Sequence, residues 1–259
     1  AMIPDVAAVG ALYADWTRHG AGVTDYLSVP DLPLDTKGTQ FELPGGYVPK
    51  GDLSQFKPIA SYQDAYFRDG VKESVKHAWY QYKGNDAARH PYEGQTHPHH
   101  TAFQDDGKYS WVKTPKWRGK LCEVGPLARY IIIYTKAKKG MLGEPTWAEK
   151  MMLDQIDAVS KVLGLAPEVW LPTMVGRTAA RGLDCQLNAE INKFFFDKLI
   201  ANIKSGDTKT ANMEKWDPST WPKTAKGVGL YEAPRGALSH YIVIKDGKTD
   251  NYQAVVPTT

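Results

Sequence analysis

The longest regular pattern in the sequence lies between residues 178 and 204, where apolar side chains recur at every fourth position. This spacing predicts a long α-helix with one apolar face. Because four residues slightly exceed one helical turn, the stripe drifts around the helix, and we expect it to cross several neighbours rather than one parallel partner. The residues of the stripe are Leu183, Leu187, Ile191, Phe195, Leu199 and Ile203.

Two further helices are predicted before this stripe. Residues 125–140 carry Pro126 in a first-turn position and lysines before Gly140, which are favourable start and stop signals for a helix. Residues 144–164 form the second helix, and five of its residues are expected to face inward: Trp147, Met151, Ile156, Val159 and Leu163.

Helical spacing also occurs nearer the N-terminus. Residues 4–19 place five apolar or aromatic residues on one face before Gly20, namely Val6, Val9, Leu12, Tyr13 and Trp16. Residues 69–82 show the same spacing through Val71, Val75, Trp79 and Tyr82. Residues 25–66 are rich in proline and glycine, and we expect them to form loops with brief strands.

The C-terminal residues change from helical to strand periodicity. Two strand-like runs flank Asp246 and Gly247, a dipeptide typical of a two-residue β-hairpin loop. Counting back from the turn predicts two cross-strand pairs, Val243 with Lys248 and Tyr241 with Asp250.

Length and composition limit the functions open to the chain. It has 259 residues, of which 42% are hydrophobic and 24% charged, and its net charge of +3 is too small to indicate nucleic-acid binding. The longest strongly apolar run, residues 130–134, is far shorter than a membrane-spanning helix, and the N-terminus lacks the layout of a signal peptide. We predict a single domain, residues 1–259, of the α+β class: helix-rich, with long irregular loops and a C-terminal β-hairpin.

Cysteine and histidine are the residues to consider first as metal ligands. Cys122 and Cys185 belong to no CxxC pair, and we expect them to be buried free thiols. Four histidines crowd one proline-rich stretch: His90, His97, His99 and His100. A zinc site would need its ligands on a regular framework with supporting partners, so hydrogen-bonded or solvated loop histidines are the alternative interpretation.

Residues 83–120 show no regular period. A long irregular stretch in a compact domain usually marks a binding site, an active-site cover or a partner interface. Its large aromatic side chains suit an interface, although they would equally suit covering a core. They are Tyr92, Tyr109, Trp111 and Trp117.

Charged residues stand at two predicted helix starts. Glu123 precedes the helix of residues 125–140, where it fits a capping or salt-bridge role. Arg177 and Arg181 are four residues apart at the start of the long helix and therefore share a face. Because cations are unfavourable at a helix N-terminus, we expect a carboxylate or an anion of a partner chain to meet them.

Arg235 stands in the segment Ala-Pro-Arg-Gly. Pro234 fixes its own φ angle and Gly236 permits close approach, so the guanidinium is held on a stiff corner that leads into the hairpin. Its five donors suit an anionic partner. The return strand would bring Thr258 back toward this corner, together with three apolar residues: Leu238, Val256 and Pro257.

Six short motifs occur in this order: KHAWY, HPYEGQT, CEVGPLAR, GRTAARGL, EAPRGALSHYI and NYQAVVPTT. With them, the chain resembles the large subunit of nickel–iron hydrogenases from about residue 70 to its end. That family oxidises H2 reversibly at a nickel–iron centre whose iron carries cyanide and carbon monoxide. The resemblance implies hydrogenase activity, with two partners: a small subunit that carries iron–sulfur clusters, and the remaining segments of the large subunit.

The resemblance also implies roles for individual residues. Arg235 would overhang the open metal position as a candidate proton acceptor, although the strong basicity of a guanidinium favours an electrostatic role. Thr258 and the backbone around Pro234 would donate hydrogen bonds to cyanide, and the Ala254 carbonyl would serve a structural Mg2+. The pocket around carbon monoxide would comprise Leu238, Val256 and Pro257.

The sequence departs from the family pattern at the metal itself. The family holds its centre with four cysteine thiolates in two CxxC pairs, and this sequence contains neither pair nor the family's C-terminal histidine for magnesium. We therefore expect a fragment from the second half of the subunit, with the nickel and iron ligands in other segments and no iron–sulfur cluster in this chain. Alone, it would be inactive.

Two questions stay open at this stage. The alternative function is a non-catalytic scaffold or interaction subunit related to hydrogenases or to the quinone subunits of respiratory complexes. The family resemblance is compatible with the periplasm or the periplasmic face of the cell membrane, with the cytoplasm as the alternative location.

Overall fold

The fold combines helices with small antiparallel sheets, as seen in a computed structural model that describes residues 2–35, 37–211, 213 and 216–258. The α-helices are α1 (Met2–Leu12), α2 (Ala65–Arg68), α3 (Pro126–Lys138), α4 (Trp147–Leu163), α5 (Pro167–Trp170) and α6 (Met174–Lys204). The strands are β1 (Tyr26–Ser28), β2 (Asp31–Pro33), β3 (Phe41–Leu43), β4 (Gly45–Val48), β5 (Lys57–Ile59), β6 (Val71–Ser74), β7 (Tyr80–Tyr82), β8 (Thr96–Pro98), β9 (Thr114–Trp117), β10 (Thr224–Ala233), β11 (Gly236–Lys245) and β12 (Lys248–Val255). This mixture confirms the α+β class.

Helices α3, α4 and α6 pack against one another around a large hydrophobic core. Helix α3 starts with Pro126 at its first position, as its sequence predicts. At the start of α4, the side chains of Thr146 and Glu149 each bond the other's backbone N–H, and the helix ends at Gly164 in the left-handed conformation. The largest fully buried side chains of this core are Trp170, Tyr26, Tyr130, Ile132, Ile133, Met152, Ile156, Leu171 and Leu187.

The long helix α6 contacts α1, α3 and α4, which confirms that it crosses several neighbours. Only the first half of its apolar stripe joins the core, through Leu183, Leu187 and Ile191. Leu199 and Ile203, in the second half, are 55% and 48% exposed. The four-residue period therefore identified the helix correctly but overstated how much of its apolar face is covered within this chain.

The inward face of α4 differs in part from the predicted one. Ile156 and Val159 are buried as expected, and Met152 is completely buried. Trp147 was expected inside but is 37% exposed, because it lies at the first position of the helix, where it stacks on Phe194 of α6. The other two predicted positions are only partly buried, Met151 and Leu163.

The helix predicted over residues 4–19 is interrupted. Helix α1 ends at Leu12, Tyr13 leaves the helical dihedral angles with φ −115° and ψ 34°, and Ala14–Arg18 continue as a 3-10 helix. The side chain of Val6 lies outside the described residues. The rest of the predicted face is exposed: Val9, Leu12, Tyr13 and Trp16.

The helix predicted over residues 69–82 is wrong. Strands β6 and β7 occupy this stretch, and Val71 of β6 pairs with Trp117 of β9. Along β6, Val71 and Glu73 are buried whereas Lys72 is exposed, which is the two-residue alternation of a strand. The valines that fit a helical period fit this alternation too, and β-branched residues favour the strand.

The C-terminal sheet is larger than the predicted hairpin of β11 and β12. A third strand, β10, pairs with the other edge of β11. The loop Asp246–Gly247 is correct, but both predicted cross-strand pairs are wrong. The two-residue loop places Lys245 opposite Lys248, and a β-bulge between Val243 and Ile244 then shifts the register by one further residue. The observed pairs are Val243 with Asn251 and Tyr241 with Gln253.

The proline-rich residues 25–66 form five short strands, as expected. Strand β1 lies against α3, and a second hydrophobic cluster joins β1 to the C-terminal sheet through Leu27, Val29, Leu230 and Tyr241. This packing brings the N-terminal strands next to β10. None of the helices in the described ranges combines the length and the apolarity that crossing a membrane requires.

Candidate functional site

Arg235 lies in a two-residue loop between β10 and β11, in which Ala233 pairs with Gly236. The expected corner leading into a hairpin is therefore the tip of a hairpin itself. Pro234 and Arg235 are exposed, whereas Gly236 is buried. Across the described ranges, the Arg235 side chain has no hydrogen bond or ion pair. Its donors are thus available to a group outside this chain.

The N-terminal end of α3 packs directly against this loop. A side chain at Gly125 would place its Cβ 2.6 Å from the Arg235 carbonyl oxygen, and one at Gly236 would place its Cβ 2.4 Å from Cγ2 of Val124. Both distances are shorter than any ordinary contact. The two glycines therefore allow the motifs CEVGPLAR and EAPRG to meet backbone to backbone.

Gly125→Ala tests this close approach. Gly125 has φ +100° and ψ −162°, a conformation that side-chain-bearing residues adopt at a cost of about 1–3 kcal/mol. Adding the contact with Arg235, we expect a loss of about 3 kcal/mol in the free energy of unfolding, measured by urea denaturation. Gly119→Ala is the control, because Gly119 also has positive φ but faces open space. A loss equal to that of the control would contradict the contact.

A buried arginine joins α3 to the strand that precedes the loop. Nη1 of Arg129 donates to Oε2 of Glu232 at 2.8 Å and to the Ala233 carbonyl at 3.2 Å. Its Nη2 donates to Oδ2 of Asp184 on α6, at 2.9 Å. All three charged side chains are more than nine-tenths buried. Two of the sequence motifs, CEVGPLAR and EAPRGALSHYI, therefore meet at one guanidinium, together with Asp184, which directly follows GRTAARGL.

Glu232 is also bonded on its other side. Its Oε1 accepts from the Val29 backbone N–H at 2.7 Å and from the Ser28 hydroxyl at 3.1 Å, and its own N–H donates to Asp31. Burial raises the pKa of Glu232 to about 7, although Arg129 and these hydrogen bonds favour the ionised form. Strand β10 is consequently fixed to β1 and to β2 immediately before the Arg235 loop.

Glu232 should make stability depend on pH. Because its folded pKa exceeds its ordinary value of 4.5, the folded state binds the proton more tightly than the unfolded state. Stability from this group is therefore present at low pH and is lost as pH rises from about 5 to about 7, by on the order of 2–3 kcal/mol. We expect Glu232→Gln to flatten this dependence in urea denaturation. Identical pH slopes for the two proteins would contradict the assignment.

The remaining predicted site residues lie at or near the same end of the C-terminal sheet. Val255, the last residue of β12, pairs with Ser239, so the residues after it continue toward the Arg235 loop. Leu238 is half-buried opposite Tyr231, and Ala254 pairs with His240. Three site residues follow the strand: Val256, Pro257 and Thr258.

The two arginines at the start of α6 differ in whether they form an ion pair. Arg177 forms a two-pronged ion pair with Glu123, with both N–O distances at 2.6 Å, which confirms the expected carboxylate partner and the salt-bridge role. Arg181 is exposed, and we find no ion-pair partner for it in the described part of the chain. The two arginines therefore do not share an anion within this chain.

The structure does not bring metal ligands together. Within the described ranges, no group of three or more His, Cys, Asp or Glu side chains could hold a metal ion. His90 bonds the Arg68 carbonyl and the Tyr92 N–H, and His100 stacks on Trp111, so these two have the ordinary contacts of the alternative interpretation. The four-histidine stretch supplies no zinc site among these residues.

The cysteines do not provide thiolate ligands either. Burial raises the pKa of the Cys122 thiol to about 12, so it stays protonated at neutral pH. Cys185 is exposed on α6, contrary to the expected burial. Neither cysteine therefore belongs to a group of potential metal ligands among the described residues.

The aromatic residues of 83–120 divide between core and surface. Trp117 is buried in the second hydrophobic cluster, and Tyr92 packs against that cluster. Trp111 and Tyr109 are 46% and 44% exposed. Trp117 and Tyr92 therefore cover a core, whereas the interface role of Trp111 and Tyr109 stays a prediction.

The sequence prediction missed the buried charged residues. Arg129 interrupts an otherwise apolar helix, and Asp184 follows Leu183 in the apolar stripe of α6. A charge inside an apolar pattern requires a buried counter-charge, and this signal could have identified the pair. The role of Glu232 had no comparable local signal.

The chain was compared with known proteins. A family model described as nickel-dependent hydrogenase matches residues 1–259. The chain is 42% identical over 274 residues to the uptake hydrogenase large subunit of Rhizobium leguminosarum bv. viciae, and 38% identical over 275 residues to the hydrogenase-1 large chain of Escherichia coli K12. These alignments cover 99% and 100% of this chain but 43% of each relative, so the chain spans less than half of their length.

Solved structures give the same assignment. The Ni-Fe-Se hydrogenase from D. vulgaris Hildenborough in the reduced state matches with a TM-score of 0.65 and 27% identity, over 98% of this chain and 46% of that chain. A reduced, active form of the Ni-Fe-Se hydrogenase from Desulfomicrobium baculatum matches with a TM-score of 0.56 and 25% identity. From its sequence and its fold, the chain belongs to the large-subunit family of nickel-dependent hydrogenases.

Proposed function

We propose that the chain forms part of a hydrogenase large subunit that catalyses the reversible oxidation of H2 to protons and electrons. The observation that carries this proposal is the Arg235 loop. It presents a guanidinium without a hydrogen bond or ion pair to the described residues, on a hairpin tip that lies so close to the start of α3 that a Cβ at Gly125 would be 2.6 Å from the Arg235 carbonyl oxygen. A non-catalytic scaffold has no evident use for such a rigid, exposed group of donors, whereas a catalytic site uses such donors to stabilise charge.

The residues present fit the surroundings of a nickel–iron centre, not its coordination. The described part of the chain offers no cluster of metal ligands, and the free cysteines are unsuited to the task. Since the relatives are more than twice as long as the matched region, we propose that other segments of the large subunit supply the thiolates. When bound, the nickel–iron centre supplies the cleavage and formation of the hydrogen–hydrogen bond.

Each site residue has a defined part in this proposal. Arg235 would provide a fixed positive charge and a planar fork of five donors. Thr258 and the backbone N–H groups that follow Pro234 would donate hydrogen bonds to cyanide, and the Ala254 carbonyl would be a ligand of a structural Mg2+. Three residues give carbon monoxide an apolar surrounding: Leu238, Val256 and Pro257.

Metal content tests the proposal. We expect nickel and iron to remain with the chain, after purification and elemental analysis, when it is produced with the complementary large-subunit segments. The chain produced alone should retain neither metal. Cys122→Ser and Cys185→Ser are matched controls, and they should leave the metal content of the assembled protein unchanged. Tight nickel binding by the chain alone would contradict the assignment of the ligands.

We further infer that residues 83–120 contact a small subunit that carries iron–sulfur clusters. Phe103, Tyr109 and Trp111 expose between 44% and 68% of their surface, and Trp111 also contacts Trp79 with ring centroids 5.4 Å apart. Large exposed aromatic groups are enriched in the centres of protein interfaces. The segment thus offers an aromatic surface suited to a protein partner.

Trp111→Ala should weaken the association of the two subunits. An aromatic residue near the centre of an interface commonly contributes about 2 kcal/mol, or roughly 30-fold in Kd. We expect a loss of this size in a titration of the small subunit. Trp216→Ala is the control, because Trp216 is exposed but lies outside the segment. Equal affinities for both variants would place the interface elsewhere.

A further inference from the structure

We propose that Arg129 is a positioning residue for Arg235, and this inference rests on the proposed function. Among the described residues, the Arg129 side chain has no hydrogen bond to Pro234 or Arg235. Its Nη1 instead bonds the two residues that directly precede Pro234, through the Glu232 carboxylate and the Ala233 carbonyl. It therefore controls where the strand ends and the loop begins.

The orientation of Arg129 is itself fixed. The residue lies in the first turns of α3, and Nη2 is held by Asp184 of α6. Its Nε is buried and has no hydrogen-bond partner in the part of the chain that the structure describes. The two Nη groups thus determine the plane of the guanidinium. Because the guanidinium is planar and rigid, the bond from Nη2 to Asp184 restricts the direction in which Nη1 can bond Glu232 and the Ala233 carbonyl.

Strand β10 is held from the opposite face as well. The Glu232 carboxylate accepts from Ser28 and from the Val29 N–H, so it lies between β1 and Arg129. Moving the end of β10 would break several buried hydrogen bonds to charged groups, which are among the stronger hydrogen bonds in proteins. The end of the strand therefore has little freedom to shift.

The far side of the loop is fixed by the same helix. Gly125, at the start of α3, touches the Arg235 carbonyl, while Arg129, one turn later, bonds the residues before the loop. One rigid helix end therefore sets both sides of a loop whose tip is further stiffened by Pro234. Positioning of this kind matters because a displacement of about 1 Å can cost 100-fold in rate.

Amide hydrogen exchange tests the inference, and it is measured on the protein in the form that its host produces. In Arg129→Lys the charge remains, but one nitrogen cannot bond Glu232, Asp184 and the Ala233 carbonyl in the arginine geometry. We expect the amides of residues 230–239 to exchange about tenfold faster than in the unchanged protein. Residues 243–250, around the other loop of the same sheet, should exchange at an unchanged rate.

Two further variants keep the test decisive. Glu232→Gln, which retains acceptors for Val29 and Ser28 but loses the charge, should accelerate exchange in the same residues. Arg177→Lys alters a comparable ion pair with Glu123 and should leave residues 230–239 unchanged. Equal acceleration of residues 230–239 and 243–250, or no acceleration in either, would overturn the positioning role.

A spectroscopic measurement separates this inference from the proposed function. In the assembled hydrogenase, Arg129→Lys should shift the infrared C≡N stretching bands, because donors from the Arg235 loop move relative to cyanide. Arg177→Lys should leave the bands in place. A protein without such bands would refute the proposed function, while the exchange rates would still decide the role of Arg129. Unshifted bands together with unchanged exchange would refute the role of Arg129 alone.

Discussion

Arg235→Lys is expected to lower the rate of hydrogen oxidation by about 100-fold, because removing one preorganised electrostatic donor commonly costs about 10²–10³ in kcat. Lysine keeps the positive charge but replaces a planar fork of five donors with a single ammonium. The loss would therefore measure geometry rather than charge. The measurement is hydrogen-dependent dye reduction by the assembled enzyme with equal metal content in both proteins.

The fold should tolerate this change. Arg235 is exposed and makes no hydrogen bond to the described residues, while Pro234 and Gly236 keep the backbone of the loop. We expect the free energy of unfolding to change by less than about 0.5 kcal/mol. Arg181→Lys is the matched control, since Arg181 is also exposed and should leave the rate unaltered. Full activity of Arg235→Lys would favour the non-catalytic scaffold.

Arg129→Met is expected to lower the free energy of unfolding by about 3–5 kcal/mol near pH 8, because it leaves buried carboxylates without their counter-charge. Glu232 and Asp184 would both lose Arg129, which bonds each of them within 2.9 Å. Burial already raises the pKa of both carboxyl groups. The loss should therefore be smaller near pH 5, where Glu232 can take up a proton. Urea denaturation at the two pH values measures both effects.

Arg177→Met provides the comparison for this prediction. Its ion pair with Glu123 is partly exposed, with 25% and 17% of the side chains accessible. Water can compensate the remaining carboxylate, so we expect a loss of about 1 kcal/mol with little dependence on pH. Similar losses for Arg129→Met and Arg177→Met would show that burial of the Arg129 cluster does not matter.

The helices that were predicted best from the sequence are those whose start and stop signals lie within a few residues of the helix ends. Pro126 starts α3 and lysines precede its end, as the sequence predicted, and both signals lie within the helix itself. The helix prediction for residues 69–82 failed because the strands in this stretch are only three or four residues long. In so short a run, the same valines satisfy a helical period and a strand period.

The rigid position of Arg235 was predictable from the sequence, because the residues on either side of it constrain the backbone. Pro234 and Gly236 indicated a rigid position for Arg235 without any knowledge of the fold. The Arg129 cluster joins residues that are 55 and 103 positions apart, and no local pattern pairs them. The predicted register of β12 failed because the two-residue loop places Lys245 opposite Lys248, and the bulge after Val243 shifts the pairing by one further residue.

The buried cluster of Arg129, Asp184 and Glu232 has a consequence for how this sequence can change through evolution. Exchanging Arg129 for an apolar residue leaves two buried carboxylates without their counter-charge, and exchanging either carboxylate removes a buried bond to Arg129, whereas a combined exchange of all three for well-packed apolar residues can be nearly neutral. Single steps away from the cluster therefore pass through less stable proteins. Homologous sequences should retain these three residues together or replace them together, as one inherited unit.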